Sequence, residues 1–234
     1  KGAEAFGWKE ARKKGAGSQK TGNIRSGVGM AAGLWVAGGG NPPSTVIVKL
    51  FSDGSANLNM GASDIGTGTK TVMAMVVAEE LGIRPEMLQI ENADTGTTQY
   101  ATPSGGSKTV PTESPAVRAA ALDVKKQLLE LAAQDLKVDA ADLGLAGDEI
   151  VSGRDPSKKV KVTAVTGLKK RGVIMGVGYR GPNPEGKVVN PFAAQFCEVE
   201  VNMRTGEARV LRFVAAHDSG RVMNKLTFDN QVFG

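Results

Sequence analysis

The feature that most constrains this sequence is that its extended segments come in adjacent pairs. Residues 45–51 are β-branched and apolar, Asp53-Gly54 is the strongest short signal for a hairpin turn, and residues 55–60 read as a second strand. Further along the chain, residues 192–202 and 208–216 alternate apolar and polar side chains on either side of a turn. Hairpins separated by helices predict an α+β fold with a layered mixed or antiparallel sheet and packed helices, rather than a doubly wound parallel sheet.

Two helices and one more strand are predicted between these pairs. Residues 70–81 are apolar on most sides and are followed by Gly82, a residue that commonly ends a helix. Ser114-Pro115 is typical of a helix start and predicts a second helix that continues to about Leu136. Residues 87–91 read as a strand between the two helices.

The chain divides into four parts on this interpretation. Residues 1–43 form a basic N-terminal helix and a linker, with a break at Gly38-Gly39-Gly40. Residues 44–138 form an α+β unit with two glycine-rich loops, and residues 139–190 form a small insertion unit. Residues 191–234 form a β-ribbon and the start of a further helix, so we interpret the chain as a piece of a longer protein.

Two glycine-bearing loops that lead into helices are the main candidates for ligand binding. Loop one is Gly66-Thr67-Gly68-Thr69 and loop two is Ser104-Gly105-Gly106-Ser107-Lys108-Thr109. A helix start exposes backbone N–H groups and the positive end of the macrodipole, and glycine lets an anion approach the backbone closely. The hydroxyl groups and Lys108 would add hydrogen-bond donors. Taken alone, a loop of this kind is more often an ordinary turn and helix cap.

Loop one resembles the end of a nucleotide-binding P-loop but does not match it. That motif requires glycine immediately before the lysine, and Thr69 precedes Lys70. A P-loop also follows a buried parallel strand, whereas the strand before loop one belongs to a hairpin. The comparison therefore argues against a P-loop nucleotide site.

The net charge of +5 does not indicate a nucleic-acid-binding protein. The basic excess is confined to residues 1–25, and the rest of the chain has equal numbers of acidic and basic groups. Such a cluster is most often a solvated helix face, and two Trp and two Tyr offer few surfaces for base stacking. No apolar run reaches the length that a membrane span needs, so no membrane span is predicted.

The single cysteine and the single histidine exclude an internal disulfide and a Cys/His zinc cluster. His217 and Asp218 are adjacent on a strand, so their side chains point to opposite sides and do not form a general-base pair. Cys197 is predicted to be a buried, inert thiol on the apolar side of its strand. A metal at this protein would therefore have to bring most of its own ligands.

Three ordered motifs resemble the molybdopterin-binding large subunit of the xanthine dehydrogenase and aldehyde oxidase family. The first is Asp64-Ile-Gly-Thr-Gly-Thr-Lys-Thr71 followed by Ala78-Glu-Glu-Leu-Gly82, and the second is loop two followed by Ala116-Val-Arg-Ala-Ala-Ala121. The third is similar in order and spacing to the family's ribbon signature. It consists of Glu198-Val-Glu-Val201, Thr205-Gly-Glu207, Asp218-Ser-Gly-Arg221, Asn224 and Gln231.

The resemblance implies a molybdenum-pyranopterin cofactor, either molybdopterin or its cytosine dinucleotide form, in a molybdenum-cofactor-binding type of domain. The cofactor's own dithiolene sulfurs hold the metal, in agreement with the lack of protein metal ligands. The positions that match the family's cofactor contacts are Gly66, Thr67, Gly68, Gly106, Ser107, Lys108, Thr109 and Gln231. Relatives often have glutamine at the position of Thr67, whose hydroxyl has a shorter reach.

The family reaction is hydroxylation of an aldehyde or an N-heterocycle with water as the oxygen source. Electrons leave through 2Fe-2S clusters to FAD, on other subunits or domains. The resemblance places the catalytic glutamate downstream of Gln231, so we expect no catalytic residue in these 234 residues and no turnover by this piece alone. The expected partners are the iron–sulfur and FAD subunits and a small-molecule substrate, in the cytoplasm or, after export of the folded protein, the periplasm.

Two other classes of function are open at this point. One is a non-catalytic scaffold that binds an anion or a nucleotide, or that interacts through the basic N-terminal segment. The other is a basic nucleic-acid binder, whose mark would be a DNA affinity that falls steeply with salt. Molybdenum at about one atom per chain would favour the enzyme.

Overall fold

The computed structural model describes residues 1–15, 18–19, 21–37, 42–183, 185–187 and 189–234. They divide into two compact units. Lys1–Ala37 and Val189–Gly234 form the ribbon unit, and Gly38–Val188 form the loop unit. The predicted break at Gly38-Gly39-Gly40 lies outside the described residues, and the division into four parts stays a prediction about the intact protein.

The helices are α1 (Gly2–Phe6), α2 (Trp8–Gly15), α3 (Thr69–Leu81), α4 (Thr109–Leu136), α5 (Thr166–Arg171) and α6 (Lys225–Phe233). The strands are β1 (Ser18–Gln19), β2 (Ile24–Leu34), β3 (Thr45–Phe51), β4 (Ala56–Met60), β5 (Leu88–Asn92), β6 (Leu143–Ala146), β7 (Glu149–Ser152), β8 (Lys159–Lys161), β9 (Val173–Tyr179), β10 (Phe192–Asn202) and β11 (Ala208–Asp218). None of the described helices combines the length and the apolar character needed to cross a membrane.

A four-stranded sheet in the order β5-β4-β3-β9 forms the centre of the loop unit. β4 and β5 run parallel, whereas β3 pairs antiparallel with both β4 and β9. Alternate residues of β3, Val46, Val48 and Leu50, are buried in one core with the apolar side chains of α3 and α4. The period of two in β3 thus buries one face of the sheet, and the predicted α+β fold with a mixed sheet is confirmed.

Two glycines let α4 lie directly on β9. A Cβ atom on Gly178 would lie 2.0 Å from the carbonyl oxygen of Ala116, and one on Gly176 would lie 2.3 Å from that of Ala120. Both contacts are with helix backbone, which cannot rotate away as a side chain can. These glycines therefore set the distance between the helix and the sheet.

A small antiparallel sheet in the order β6-β7-β8 completes the loop unit. Leu143 and Ile150 of this sheet belong to the same apolar core as α3 and α4. Ion pairs from Arg154 to Asp142 and from Lys159 to Glu149 lie at its surface.

The described strands of the ribbon unit form an antiparallel sheet in the order β1-β2-β10-β11. β10 and β11 pair along their length with one register shift between Glu198 and Val199, which confirms the predicted ribbon. Phe6 and Trp8 pack on Phe196 of β10, with ring centroids 5.7 and 5.6 Å from that ring. Aromatic contacts thus join the N-terminal helices to the sheet.

The N-terminal segment differs from the predicted helix and linker. The helical part is interrupted at Gly7, whose φ is 68°, and its second helix ends at Gly15. Residues 24–34 form β2, which pairs with β10 from end to end. Its small residues show no apolar alternation, so β2 is specified by its pairing with β10 rather than by its own pattern.

The second predicted helix starts earlier than expected, at Thr109 rather than near Pro115. The hydroxyl of Ser114 donates a hydrogen bond to the carbonyl of Val110, so Ser114 lies within the helix and is not its N-cap. Pro115 removes one backbone donor from the helix interior, where the sequence pattern had indicated a helix start. Loop two therefore leads directly into α4, without an intervening segment.

The prediction of a buried thiol at Cys197 is wrong. Cys197 is half-buried, whereas its neighbour Phe196 is 3% exposed. Since successive side chains of a strand point to opposite faces, the packed face of β10 is the one that carries Phe196.

Candidate functional site

Both glycine loops leave the sheet of the loop unit at the same edge. β4 and β5 are parallel and end side by side, with Met60 opposite Asn92. Loop one follows β4 and loop two follows β5, so the two helix entrances share the carboxyl ends of these strands. Ligands of open α/β sheets commonly bind at such an edge.

Direct contacts hold the two loop segments together. The hydroxyl of Ser104 donates a hydrogen bond to the carbonyl of Ser63 over 3.2 Å. The side-chain amide of Asn92 donates to the carbonyl of Ala62 over 3.1 Å. Gly61 has no room for a side chain, because its Cβ would lie 2.0 Å from the carbonyl oxygen of Gln99. The predicted loops are therefore neighbours, although neither sequence motif indicated which residues join them.

The helices that follow the loops run in the same direction. Glu80, next to the end of α3, forms an ion pair with Arg118 over 2.7 Å and lies 3.7 Å from Lys125. Glu80 and Arg118 are each about 15 Å along their helices, at 1.5 Å per residue. Together with the contact between Ser63 and Ser104, this pair places both helix N-termini at one end of the unit. Two positive macrodipole ends thus point to one region.

The backbone amides of loop one already have an acceptor. The Asp64 carboxylate accepts hydrogen bonds from the amides of Gly66 and Gly68 through one oxygen, over 3.0 and 3.2 Å, and from that of Lys70 through the other, over 3.0 Å. Gly66 and Gly68 have φ values of 94° and 80°, which wrap the loop around the carboxylate. The N-terminus of α3 is thus capped by the Asp64 side chain. The interpretation of loop one as an ordinary turn and helix cap predicted such a cap.

The environment of Asp64 favours its charged form. Partial burial raises the pKa of the carboxyl, but the hydrogen bonds from the amides of Lys70, Gly66 and Gly68 and the charge of Lys70 outweigh burial and lower the pKa below its usual 3.8. At neutral pH, the charged Asp64 carboxylate therefore already caps the amides of loop one. The hydroxyls of Thr67 and Thr69 lie 3.2 Å apart. Thr67 is half-buried whereas Thr69 is 3% exposed, so the Thr67 hydroxyl is the more accessible of the two.

Replacing Asp64 by asparagine should lower the free energy of unfolding of the loop unit by about 1 kcal/mol, because an amide group cannot accept all three hydrogen bonds. A group whose pKa is lowered on folding contributes stability above its unfolded value and loses it as the pH falls through the folded value. The difference between wild type and variant should therefore be full at neutral pH and shrink below pH 3.8. Urea unfolding across that range measures it, and a difference that does not change with pH would contradict this assignment.

The start of α4 differs from that of α3. Lys108 is its N-cap residue, and no carboxylate of the described residues accepts hydrogen bonds from the first amides of α4 as Asp64 does at α3. Ser107 has a φ of 55°, which is uncommon for a residue other than glycine and marks local strain. In that first turn, the Thr112 hydroxyl is buried and has no hydrogen-bond partner among the described residues. Loop two is thus the entrance that an anion can still cap.

The polar groups around the two loops suit an anionic organic ligand. Lys108, Thr109 and Thr67 are half-buried, and Ser107 is exposed. A Cβ on Gly66 or Gly106 would meet no atom within 4 Å, so both glycines border open space. The described residues contain no group of three or more His, Cys, Asp or Glu side chains that could hold a metal ion. These donors fit a cofactor that carries its own metal ligands.

Gln231 and His217 lie in the ribbon unit. Gln231 is exposed on α6, which begins with Asn224 as a side-chain cap. His217 is exposed near the end of β11. The contact of Gln231 with the cofactor stays a prediction.

The whole chain, residues 1–234, matches the family model described as a molybdopterin cofactor-binding domain. The chain belongs to this family. The resemblance to a molybdopterin-binding subunit that was drawn from the three motifs is thereby confirmed.

Two curated relatives and a solved structure are similar to this chain. The large chain of carbon monoxide dehydrogenase from Hydrogenophaga pseudoflava is 30% identical over 196 residues, covering 80% of this chain and 24% of the relative. The molybdenum-binding subunit of xanthine dehydrogenase from Escherichia coli O157:H7 is 28% identical over 251 residues, covering 100% of this chain and 32% of the relative. The structure of CO dehydrogenase from Oligotropha carboxidovorans superposes with a TM-score of 0.80 at 26% identity, over 98% of this chain and 29% of that chain.

This molybdopterin-binding domain spans about a quarter to a third of the length of these relatives. Their names, a large chain and a molybdenum-binding subunit, are those of components of multi-subunit enzymes. The sequence motifs located both glycine loops. They did not indicate that Asp64 caps loop one. They also did not indicate the hydrogen bond between Ser63 and Ser104, because it joins residues 41 positions apart.

Proposed function

We propose that the protein carrying this domain is a molybdenum hydroxylase that oxidises an aldehyde or an N-heterocycle with water as the oxygen source. The observation that carries the proposal is the hydrogen bond from Ser104 to Ser63, because it brings two helix entrances to one place. When bound, the cofactor supplies the molybdenum centre at which such a substrate is hydroxylated. A non-catalytic nucleotide scaffold is not favoured, since the family match covers the whole chain.

The residues of this chain would hold the cofactor in two different ways. Ser107, Lys108 and Thr109 at the uncapped start of α4 would bind its anionic phosphate. Thr67 of loop one would donate a hydroxyl to a neutral polar part, since Asp64 already occupies the amides of Gly66 and Gly68. In the same proposal, Gln231 contacts the cofactor, and Gly66, Gly68 and Gly106 border it through backbone.

Electrons would leave through 2Fe-2S clusters to FAD on partner subunits or domains, and the catalytic base would lie outside these residues. The single cysteine, Cys197, supports a reducing compartment such as the cytoplasm.

The proposal is tested with the full-length protein purified from a host that makes the cofactor. About one molybdenum and one pterin per chain are expected, with oxidation of an aldehyde or a purine in the presence of an electron acceptor. Tight nucleotide binding without molybdenum or pterin would overturn the proposal.

The two loops should respond differently to substitution. Lys108→Met should reduce retention of molybdenum and pterin about tenfold or more, because it removes a charged hydrogen-bond donor. Thr67→Val should reduce retention only a few-fold, because a neutral hydrogen bond contributes about 1 kcal/mol. Metal analysis and pterin fluorescence after dialysis measure both. A larger loss in Thr67→Val than in Lys108→Met would contradict the assignment of the anionic end to loop two.

A further inference from the structure

Glu113 is the one fully buried acidic side chain in the part of the chain that the structure describes. Glu113 is 1% exposed and lies on α4 one turn after Thr109, the last residue of loop two. It is not among the residues that the family motifs indicate. Because burial of a carboxyl costs free energy, its position needs a physical reason.

The hydrogen-bond partner of Glu113 is Ser44, a residue at the edge of the four-stranded sheet. The hydroxyl of Ser44, itself 3% exposed, donates a hydrogen bond to one Glu113 carboxyl oxygen over 2.7 Å. Ser44 immediately precedes β3, and its carbonyl accepts a hydrogen bond from the amide of Arg180 at the end of β9, over 3.0 Å. The first turns of α4 are thus tied to the sheet edge at which both loops leave.

The contribution of the Ser44–Glu113 hydrogen bond to the stability of the fold does not explain why a carboxyl group is buried here. Burial raises the pKa of Glu113, and the Ser44 hydrogen bond offsets burial only in part. Apolar side chains of similar volume in place of both Glu113 and Ser44 would be about as stabilising, because neither would leave a buried polar group without a partner. An apolar contact, however, allows a helix to slide or rotate, whereas a directed hydrogen bond fixes one position along the sheet edge.

We infer that Glu113 is a positioning residue for the cofactor: held by Ser44, it fixes the first turns of α4 so that the loop-two donors face the cofactor. The inference rests on the proposed function of loop two. Glu113 acts through Lys108 and its neighbours and does not itself contact the cofactor.

The test uses four variants of the full-length protein in a host that makes the cofactor. Glu113→Met removes the hydrogen bond at similar volume, Glu113→Gln keeps an acceptor for Ser44, and Ser44→Ala removes the donor. A double variant combines Glu113→Met with Ser44→Ala, so that neither partner is left alone in the core. Molybdenum and pterin per chain are measured after dialysis, together with the melting temperature of each cofactor-free protein and hydrogen exchange of the loop-two amides.

Glu113→Met and Ser44→Ala should each reduce cofactor retention about three- to tenfold, the equivalent of one hydrogen bond, and speed loop-two exchange. The double variant leaves no buried hydroxyl without an acceptor, so it should melt no lower than wild type when cofactor-free and should still lose cofactor retention. Glu113→Gln should retain the cofactor as wild type does. Wild-type retention in Glu113→Met would overturn the inference alone. A loss in the double variant that only follows a lower melting temperature would also overturn it, by showing a merely structural role. Wild-type protein without molybdenum or pterin would overturn the proposed function as well.

Discussion

A Gly61→Ala protein is expected to fold but to lose at least about nine-tenths of its cofactor. The added Cβ would lie 2.0 Å from the carbonyl oxygen of Gln99 and 2.9 Å from the amide of Ala101, which are backbone atoms. The segment that leads into loop two would have to move away from loop one by about 1 Å or more. A misplacement of about 1 Å can slow a precisely aligned reaction about a hundredfold, and we expect cofactor binding by two adjoining loops to be similarly sensitive to their spacing.

Molybdenum and pterin content of the full-length variant measure this loss. Gly144→Ala is the matched control, because a Cβ there meets no atom within 4 Å and Gly144 lies in β6, away from the loops. Retention at the wild-type level in both variants would show that the spacing between the loop segments does not govern cofactor binding.

The second large effect is expected at Gly178. Gly178→Val should lower the free energy of unfolding of the loop unit by about 3 kcal/mol or more, because the side chain would force β9 away from the backbone of α4. The Cβ position lies 2.0 Å from the carbonyl oxygen of Ala116 and 2.4 Å from the amide of Ala120. A lower urea midpoint with an unchanged slope is expected.

Gly181→Val is the control for this substitution, since a Cβ at Gly181 has no neighbour within 4 Å. It should unfold at nearly the wild-type urea concentration. Equal midpoints for the two valine variants would show that α4 and β9 can separate at little cost.

Much of the fold could be predicted because its strands carry their own pattern. The β3–β4 and β10–β11 hairpins have alternating apolar residues and turn residues, so local sequence sufficed. β2 could not be predicted, since its small residues acquire strand structure only by pairing with β10. The start of α4 was misplaced because Pro115 is more common at a helix start than inside one.

The candidate site, like the fold, could be predicted from the sequence only in part. The glycine loops are local motifs and were visible, but the contacts that shape them join distant residues. Ser104 reaches Ser63, and Ser44 reaches Glu113 across 69 positions. A single sequence gives no indication of such pairs. Asp64 could have been recognised, because an aspartate two residues before a Gly-x-Gly turn is well placed to accept its amides.

The parallel arrangement of α3 and α4 has an electrostatic consequence. Two helix dipoles aligned side by side repel at their ends. Among the described residues, the Asp64 carboxylate caps the positive end of α3, whereas Glu113 lies one turn into α4, where burial raises the pKa of its carboxyl. A helix N-terminus is equivalent to roughly half a positive charge, so the start of α4 favours an anion at loop two. Binding of the anionic cofactor there should also tighten the domain and make it more resistant to heat and proteases.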